Sequence, residues 1–336
     1  MKKTISLLLA LMLLVTGLSA CSNQPSAEPS ATAAPEIKAT VNAAVLKGPT
    51  GMGMAYLMER DANAESKNDY NFTIESAPDA VTAKLVSGEL NIAAIPANAA
   101  AALYNKTGGK IKIVAVNTLG VLYLMQSGDT VKSVSDLKGK TIISAGQGST
   151  AEYVLNYILA KNNLTVGEDV TVTYVSEHAQ AVAQAKAEAK SGKDPLVLLP
   201  EPFVTSLSQV DSSFSVAIDL QQEWKKVSSS PMTMGAIAVR TDFIEGQPDA
   251  TGKFLEDCKS SVEYTNSNPS EASALIEKYG ILSADIAQKA IPNANIVFIS
   301  GAEMKDALTA FYGVLFEANP ASIGGKLPAD DFYYVG

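Results

Sequence analysis

From Ile37 to about Ile218 short apolar runs alternate with amphipathic stretches, and this alternation limits the chain to a small set of folds. Thr40 to Leu46, Tyr70 to Glu75, Asn91 to Ile95 and Ile111 to Val116 read as strands. Between them Met54, Leu57 and Met58, then Val81, Leu85 and Val86, fall at helical spacing. Pro78 opens the second of these helices and Gly88 stops it. Val121 to Met125 continues as an extended segment. A second set follows: strands at Thr141 to Ser144, Val170 to Val175, Leu196 to Leu199 and Phe214 to Ile218, with helices at Ser149 onward and His178 to Lys190. Ser149 and Glu152 have the spacing of a capping box. Met232 to Val239 is extended, and the pattern then turns helical through Thr251–Glu263, Glu271–Tyr279, Ala284–Ala290 and Met304–Glu317. Strands alternating with helices indicate α/β architecture, with parallel sheets covered by helices on both faces. Two sets, with passages between them near 121–127 and 230–236, indicate two lobes.

The first 20 residues read differently. Lys2 and Lys3 precede an apolar run from Ile5 to Val15, which is shorter than the roughly 20 residues of a spanning helix. Charged start, short apolar stretch and small residues make a secretory signal over residues 1–20. Leu18-Ser19-Ala20-Cys21 resembles the lipobox of bacterial lipoproteins. That resemblance implies cleavage before Cys21, a diacylglycerol thioether on its sulfur, and more than one acyl chain holding the protein to the cell membrane. The alternative is an ordinary secreted protein in which Cys21 stands there by chance. Residues 21–35 contain no large apolar side chain, so burial cannot offset the entropy of ordering them. They read as a flexible tether.

Composition removes whole classes of function. The formal charge is −9, and an acidic surface repels nucleic acid. Only Arg60 and Arg240 supply guanidinium groups, so few sites could grip phosphate or carboxylate through a planar fork. With one histidine, His178, and two cysteines, a nitrogen- and sulfur-ligated metal site is not expected, nor is a Ser-His-Asp or Cys-His catalytic set. Cys258, in a helical pattern, reads as a buried inert thiol, and His178 as a solvated helix residue. No cofactor is implied.

Four segments together carry a wider resemblance. They are Gly48–Gly53 after the first strand, Ser87–Pro96, Ser135–Lys140 and Glu201-Pro202-Phe203-Val204. In this order and spacing the chain resembles extracytoplasmic solute-binding proteins of ABC importers, in the group that takes nitrate, sulfonates, taurine and thiamine-pyrimidine precursors. The resemblance covers nearly all of residues 37–336. It implies a two-lobed periplasmic-binding-protein type II fold, with two mixed or parallel sheets flanked by helices and joined by two hinge strands. Lobe 1 would be residues 36–124 and 233–336, and lobe 2 residues 125–232. It further implies a monomer that captures a small solute between the lobes and hands it to permease and ATPase subunits. Chorismate dehydratase-like enzymes and yeast-type pyrimidine synthases resemble the same fold, but work inside cells, against the reading of Leu18 to Cys21. A surface solute sensor is a third use of the fold.

In α/β lobes ligands sit beyond the carboxyl ends of strands, where helix N-termini offer free N–H groups. That rule selects Thr50, Gly51 and Met52; Asn98; Asn117 and Thr118; Gly148, Ser149 and Thr150; and Glu201 as solute-binding candidates. Glu201 ends a buried apolar strand and needs a partner: a solute amine, a lysine or a helix N-terminus. If it meets solute, the scarcity of arginine favours an amine or basic ring over bare negative charge. Tyr104, Tyr123, Tyr153 and Trp224 are aromatic side chains that could stack on a ring, with core packing the competing use.

The lipobox reading has a direct check. Globomycin, which blocks lipoprotein signal peptidase, is expected to leave the precursor uncleaved, and Cys21→Ala to release the protein from the membrane fraction; normal processing under globomycin removes the anchor.

Overall fold

The computed structural model describes residues 38–336. The signal, the lipid-bearing Cys21 and the tether of the sequence reading lie outside the described residues. The chain opens with β1 (Thr40–Leu46), a short α1 (Pro49–Met52), α2 (Ala55–Ala62), β2 (Asp69–Glu75), α3 (Pro78–Ser87), β3 (Ile92–Pro96), α4 (Ala97–Thr107) and β4 (Ile111–Thr118). Proline at the first turn of α3 and left-handed Gly88 (φ 87°) after its last turn set that helix's ends, as the sequence indicates. Next come β5 (Leu122–Ser127), a 3-10 turn at Val134–Leu137, β6 (Thr141–Ala145), α5 (Thr150–Lys161), β7 (Thr171–Val175), α6 (His178–Lys190), β8 (Leu196–Pro200), α7 (Phe203–Val210), β9 (Phe214–Asp219) and α8 (Leu220–Val227). The chain returns through β10 (Gly235–Arg240), α9 (Thr241–Gly246), α10 (Pro248–Ser267), α11 (Pro269–Lys278), α12 (Ala284–Ala290), β11 (Ile296–Ser300) and α13 (Gly301–Ala318).

Two sheets result. One has six strands in the order β11-β4-β10-β3-β1-β2, the other five in the order β7-β6-β8-β5-β9. Both are mixed rather than all-parallel. β10 runs antiparallel to β3 and β4, β11 antiparallel to β4, and β5 antiparallel to β8 and β9. β5 and β10, the first strand after each passage between the sheets, run against the βαβ direction of their sheet, and β11 does the same at the sheet edge. The central strands β3 and β8 are apolar along almost their whole length, because helices cover both faces.

Several elements depart from the sequence reading. β11 lies between the helices read at Ala284–Ala290 and Met304–Glu317, where the sequence reading has no strand, and α7, α8 and α9 have no counterpart in it either. The capping box is not at Ser149: its side chain caps nothing, and the Glu152 carboxylate accepts the N–H of Gly148 instead. Left-handed Gly146 and Gly148 (φ 76° and 78°) turn the backbone there, so that Gly148, not the cap residue, presents its amide to Glu152. A reciprocal box does form between Ser133 and Asp136, at the Val134–Leu137 turn.

The sheets are not independent cores. One apolar cluster runs from Ile111 and Ile113 of the six-stranded sheet to Leu122, Leu124 and Leu198 of the other. α13 forms the bridge: Phe311 meets the Trp224 indole edge-on at 5.6 Å, and Trp224 also lies 5.0 Å from Tyr157. Trp224 is fully buried and donates its ring N–H to Ser230 O at 2.8 Å. A second cluster lies under α2, α10, α11 and α12, and holds Cys258, whose thiol burial pushes far above its usual range. Beside it the buried Asp257 carboxylate receives Arg60 Nη1 at 3.2 Å, Lys67 N at 2.8 Å and the Tyr70 hydroxyl at 3.0 Å, so its charge is fully partnered. Trp224→Ala is expected to lower stability by about 3–5 kcal/mol, the usual loss for a large buried aromatic, measured by urea unfolding.

Candidate functional site

The two passages between the sheets run side by side. Met234 N donates to Thr118 O at 3.0 Å, and Ala97 N to Met234 O at 2.9 Å. On the other side Glu201 N donates to Val121 O at 2.9 Å. These bonds tie the end of β4 and the start of α4 to the entry of β10, and the turn after β8 to Val121 at the entry of β5. A cavity of about 520 Å³ opens above them, with walls from both sheets. That volume is within the range of small-molecule sites.

Each wall is a strand end or the first turn of a helix. Thr50 comes from α1, Pro78 from α3, Asn98 and Ala99 from α4, Ser149, Thr150 and Ala151 from α5, and His178 from α6. None of the last four helices has a side-chain cap, so, apart from the Ala97 N–H given to Met234 O, first-turn N–H groups stay available to solvent or solute. Gly235 makes the floor possible. A Cβ there would stand 2.8 Å from Asn117 Oδ1, 2.8 Å from Thr50 Cγ2 and 2.9 Å from Thr118 Cβ. Only glycine lets β10 pass that close to the end of β4.

Of the ten candidates from the sequence, Thr50, Asn98, Thr118, Ser149, Thr150 and Glu201 line the cavity. The other four stand behind the wall. Met52 is a fully buried member of the second core cluster, because the short α1 turns it inward. Gly51 lies against Leu46, whose carbonyl oxygen would be 2.3 Å from an added Cβ. Asn117 is buried and donates to Thr50 O at 3.2 Å, so it positions the Thr50 backbone from behind. Gly148 is an exposed left-handed turn residue. None of the four aromatics lines the cavity. Tyr104 bonds Asp331 at 2.5 Å, Tyr123 donates to Asn293 O at 2.8 Å, Tyr153 accepts from Asn319 at 2.8 Å, and Trp224 belongs to the core.

His178 is the main residue that sequence reasoning misplaced. It is not a solvated helix residue: it stands at the first position of α6, lines the cavity, and packs with its ring tilted 43° to Phe203 at 5.1 Å between centroids. Its Nδ1 is buried without a hydrogen-bond partner, and desolvation lowers its pKa below the ordinary 6.5, so the ring is neutral at pH 7. The missing signal was the strand-end rule itself. The loops after β2 and β7 end in Pro78 and His178, and applying the rule there finds both.

Glu201 is 2% exposed. Its partner is the first turn of α7: Oε2 accepts Thr205 N at 3.2 Å and Oε1 accepts the Thr205 hydroxyl at 3.0 Å. Burial raises its pKa, and the two bonds from Thr205 only partly oppose this. No lysine or arginine lines the cavity, so Glu201 and His178 are its ionisable groups. Among the described residues no group of three or more His, Cys, Asp and Glu side chains is placed to hold a metal ion, and no helix is long and apolar enough to cross a membrane. The cavity offers N–H donors, hydroxyls, one amide, one neutral imidazole and one buried carboxyl, which suffices for recognising a small polar molecule.

The fold, with its inserted second sheet and cleft, is that of the type II periplasmic binding proteins. A model of the family described as menaquinone biosynthesis matches residues 52–317, and the chain belongs to that family. Among solved structures, an ABC transporter protein from Parabacteroides distasonis is 24% identical with a TM-score of 0.73, over 88% of this chain and 99% of that one. The periplasmic aliphatic sulphonate-binding protein SsuA of Escherichia coli is 16% identical with a TM-score of 0.65, over 86% of this chain and 92% of its own. The alkanesulfonate-binding protein SsuA of Xanthomonas axonopodis pv. citri, bound to MOPS, is 15% identical with a TM-score of 0.62, over 89% and 97%. These likenesses establish the shared fold. No curated protein sequence matches the chain.

The raised pKa of Glu201 has a consequence for stability. A carboxyl whose pKa is higher folded than unfolded stabilises the fold below the ordinary 4.5, and that contribution is lost as pH rises through the folded value. At pH 8 the buried charge therefore weighs against folding. Glu201→Gln is expected to melt above the parent protein at pH 8, with the gap closing below pH 4.5; scanning calorimetry across that range checks it.

Proposed function

We propose that the chain is the extracytoplasmic solute-binding component of an ABC importer. It takes a small solute into the cavity between residues 36–124 with 233–336 on one side and residues 125–232 on the other. The observation that carries this reading is a 520 Å³ cavity walled by both sheets, with two adjacent strand passages beneath it. A ligand that touches both walls favours the state in which they are close, and a membrane partner can read that difference. The cavity residues are Thr50, Asn98, Thr118, Ser149, Thr150 and Glu201, to which His178 is added. Gly51, Met52, Asn117 and Gly148 support the wall. Cys21 carries the lipid anchor, the tether gives reach, and permease and ATPase subunits are the partners.

The family match supports a second reading, an enzyme acting on the captured molecule. One acid and one neutral imidazole lining the same cavity could serve proton transfer. The carrier reading is preferred because the first 21 residues read as a leader and lipobox, which supports a location outside the cell, and because neither Glu201 nor His178 is held by a further charged group that would fix it for turnover.

Mild purification of the chain without residues 1–21, followed by mass spectrometry, is expected to recover a small molecule. Adding it back to stripped protein should decrease the radius of gyration in X-ray scattering. At roughly a hundredfold excess over Kd it should add about 2.7 kcal/mol of stability. Recovery of the molecule chemically unchanged after prolonged incubation supports the carrier. Conversion to a product establishes the enzyme, and an invariant radius of gyration overturns the clamp.

A further inference from the structure

The solute class can be narrowed from the charges the cavity contains and lacks; this step rests on the reading of the cavity as a solute site. Glu201 lines the cavity, is 2% exposed, and meets only a hydroxyl and a backbone amide, both from Thr205. The groups around it supply no cation. From α6 the near group is His178, reached through Phe203, and its ring is neutral. From β5 it is the Tyr123 phenol, whose proton goes to Asn293 O. From the end of β9 it is Asp219, another acid, which caps α8 by accepting Gln221 N at 2.8 Å. Glu152 at the α5 wall is committed to Gly148 N. A desolvated carboxylate with hydroxyl and amide partners alone is under-compensated, and a guest bearing positive charge or N–H donors supplies what is missing.

We infer that the cavity selects a solute with a protonated or N–H-donating nitrogen seated against Glu201, and that it rejects the sulfonates bound by proteins of the same fold. The helix first turns do not reverse this preference. Their N–H groups accept a carbonyl, ring nitrogen or carboxylate on the far side of the same guest. A sulfonate could reach them too, but its charge would then share a 520 Å³ desolvated space with Glu201 and find no lysine or arginine on the wall. His178, its ring tilted 43° to that of Phe203 with centroids 5.1 Å apart, puts one aromatic ring on the same wall as Glu201, which suits a planar nitrogenous group such as an amidine or amino-heterocycle. Proton balance follows. A guest cation favours the ionised carboxyl, so wherever the free protein still holds the Glu201 proton, capture releases it to the buffer.

Isothermal titration with benzamidine, histamine and cytosine, against ethanesulfonate and nitrate, tests this on the stripped protein. At least one nitrogen probe is expected to bind. Titrations in two buffers of different ionisation enthalpy, stepped downward from pH 7, should show proton release that sets in as the free carboxyl becomes protonated. Glu201→Gln should weaken that probe about thirtyfold or more and abolish the proton release, with Glu201→Asp retaining part of both. Circular dichroism confirms that both variants fold. Binding of ethanesulfonate or nitrate, equal binding of a nitrogen probe by Glu201→Gln, or failure of all three nitrogen probes overturns the class. The carrier reading is judged separately, by the recovered molecule and the scattering change. Ethanesulfonate binding with a decreased radius of gyration would therefore sink the class and leave the carrier standing.

Discussion

The antiparallel return of β10 between β3 and β4 is the constraint on which the rest of the molecule depends. Its register sets Gly235 opposite Pro96 on one side and Thr118 on the other. The six-stranded sheet is thereby built from both ends of the described chain, and everything from Leu122 to Asp219 becomes an inserted second sheet. Insertion fixes two passages, and the register places them side by side. The carboxyl ends of β1 and β3 in one sheet, and of β6 and β8 in the other, then open onto one gap. The absence of a side chain at Gly235 is what allows this register, since Asn117, Thr50 and Thr118 occupy the space a Cβ would need.

The connection between the halves is uneven around the cavity. On the α13 flank it is apolar and continuous: Phe311, Trp224 and Tyr157 pack as one group, and Asn319 bonds Tyr153 across the seam. On the α7 flank it is thin and polar. Gln209 donates to Asp285 O at 3.2 Å on the exposed surface, and Tyr123 to Asn293 O. Exposed single hydrogen bonds each contribute about 1 kcal/mol, whereas separating a buried aromatic group costs several. Of the two seams, the one between α7 and α12 is therefore the less costly to part.

The sequence made most strands and the longer helices legible because each has a clean period and a stop signal. Gly88 ending α3 and the apolar run of β8 are examples. β11 was missed because it is an edge strand with half-exposed side chains, entered through Asn295 at φ 43°, a conformation that composition does not reveal. α8 was missed because eight residues give too few turns for periodicity, although Asp219 at its N-terminus was the available signal. At the site, strand-end loops located six of the ten candidate positions on the wall. What they could not give was direction. Met52 and Thr50 sit in the same loop, and only the inward turn of α1 sends one to the core and the other to the cavity. His178 was hidden by its neighbours: an Ala-, Gln- and Lys-rich helix looks solvated along its length, yet its first residue is held at the cavity by Phe203.

Placement of the one histidine and of one buried acid in the same cavity sets its electrical character. In the neutral range His178 is uncharged and Glu201, once ionised, is the sole net charge on the wall. Acidification adds a proton to each group, at a pH that burial raises for the carboxyl and lowers for the imidazole. The cavity thus moves from negative through neutral to positive without any change of backbone. The helix first turns contribute a constant positive partial charge throughout. A guest that needs the carboxylate is held at neutral pH and loses its partner on acidification, whereas an anionic guest would follow the opposite course. The fold supplies the cleft, and these two side chains supply its ionisable groups.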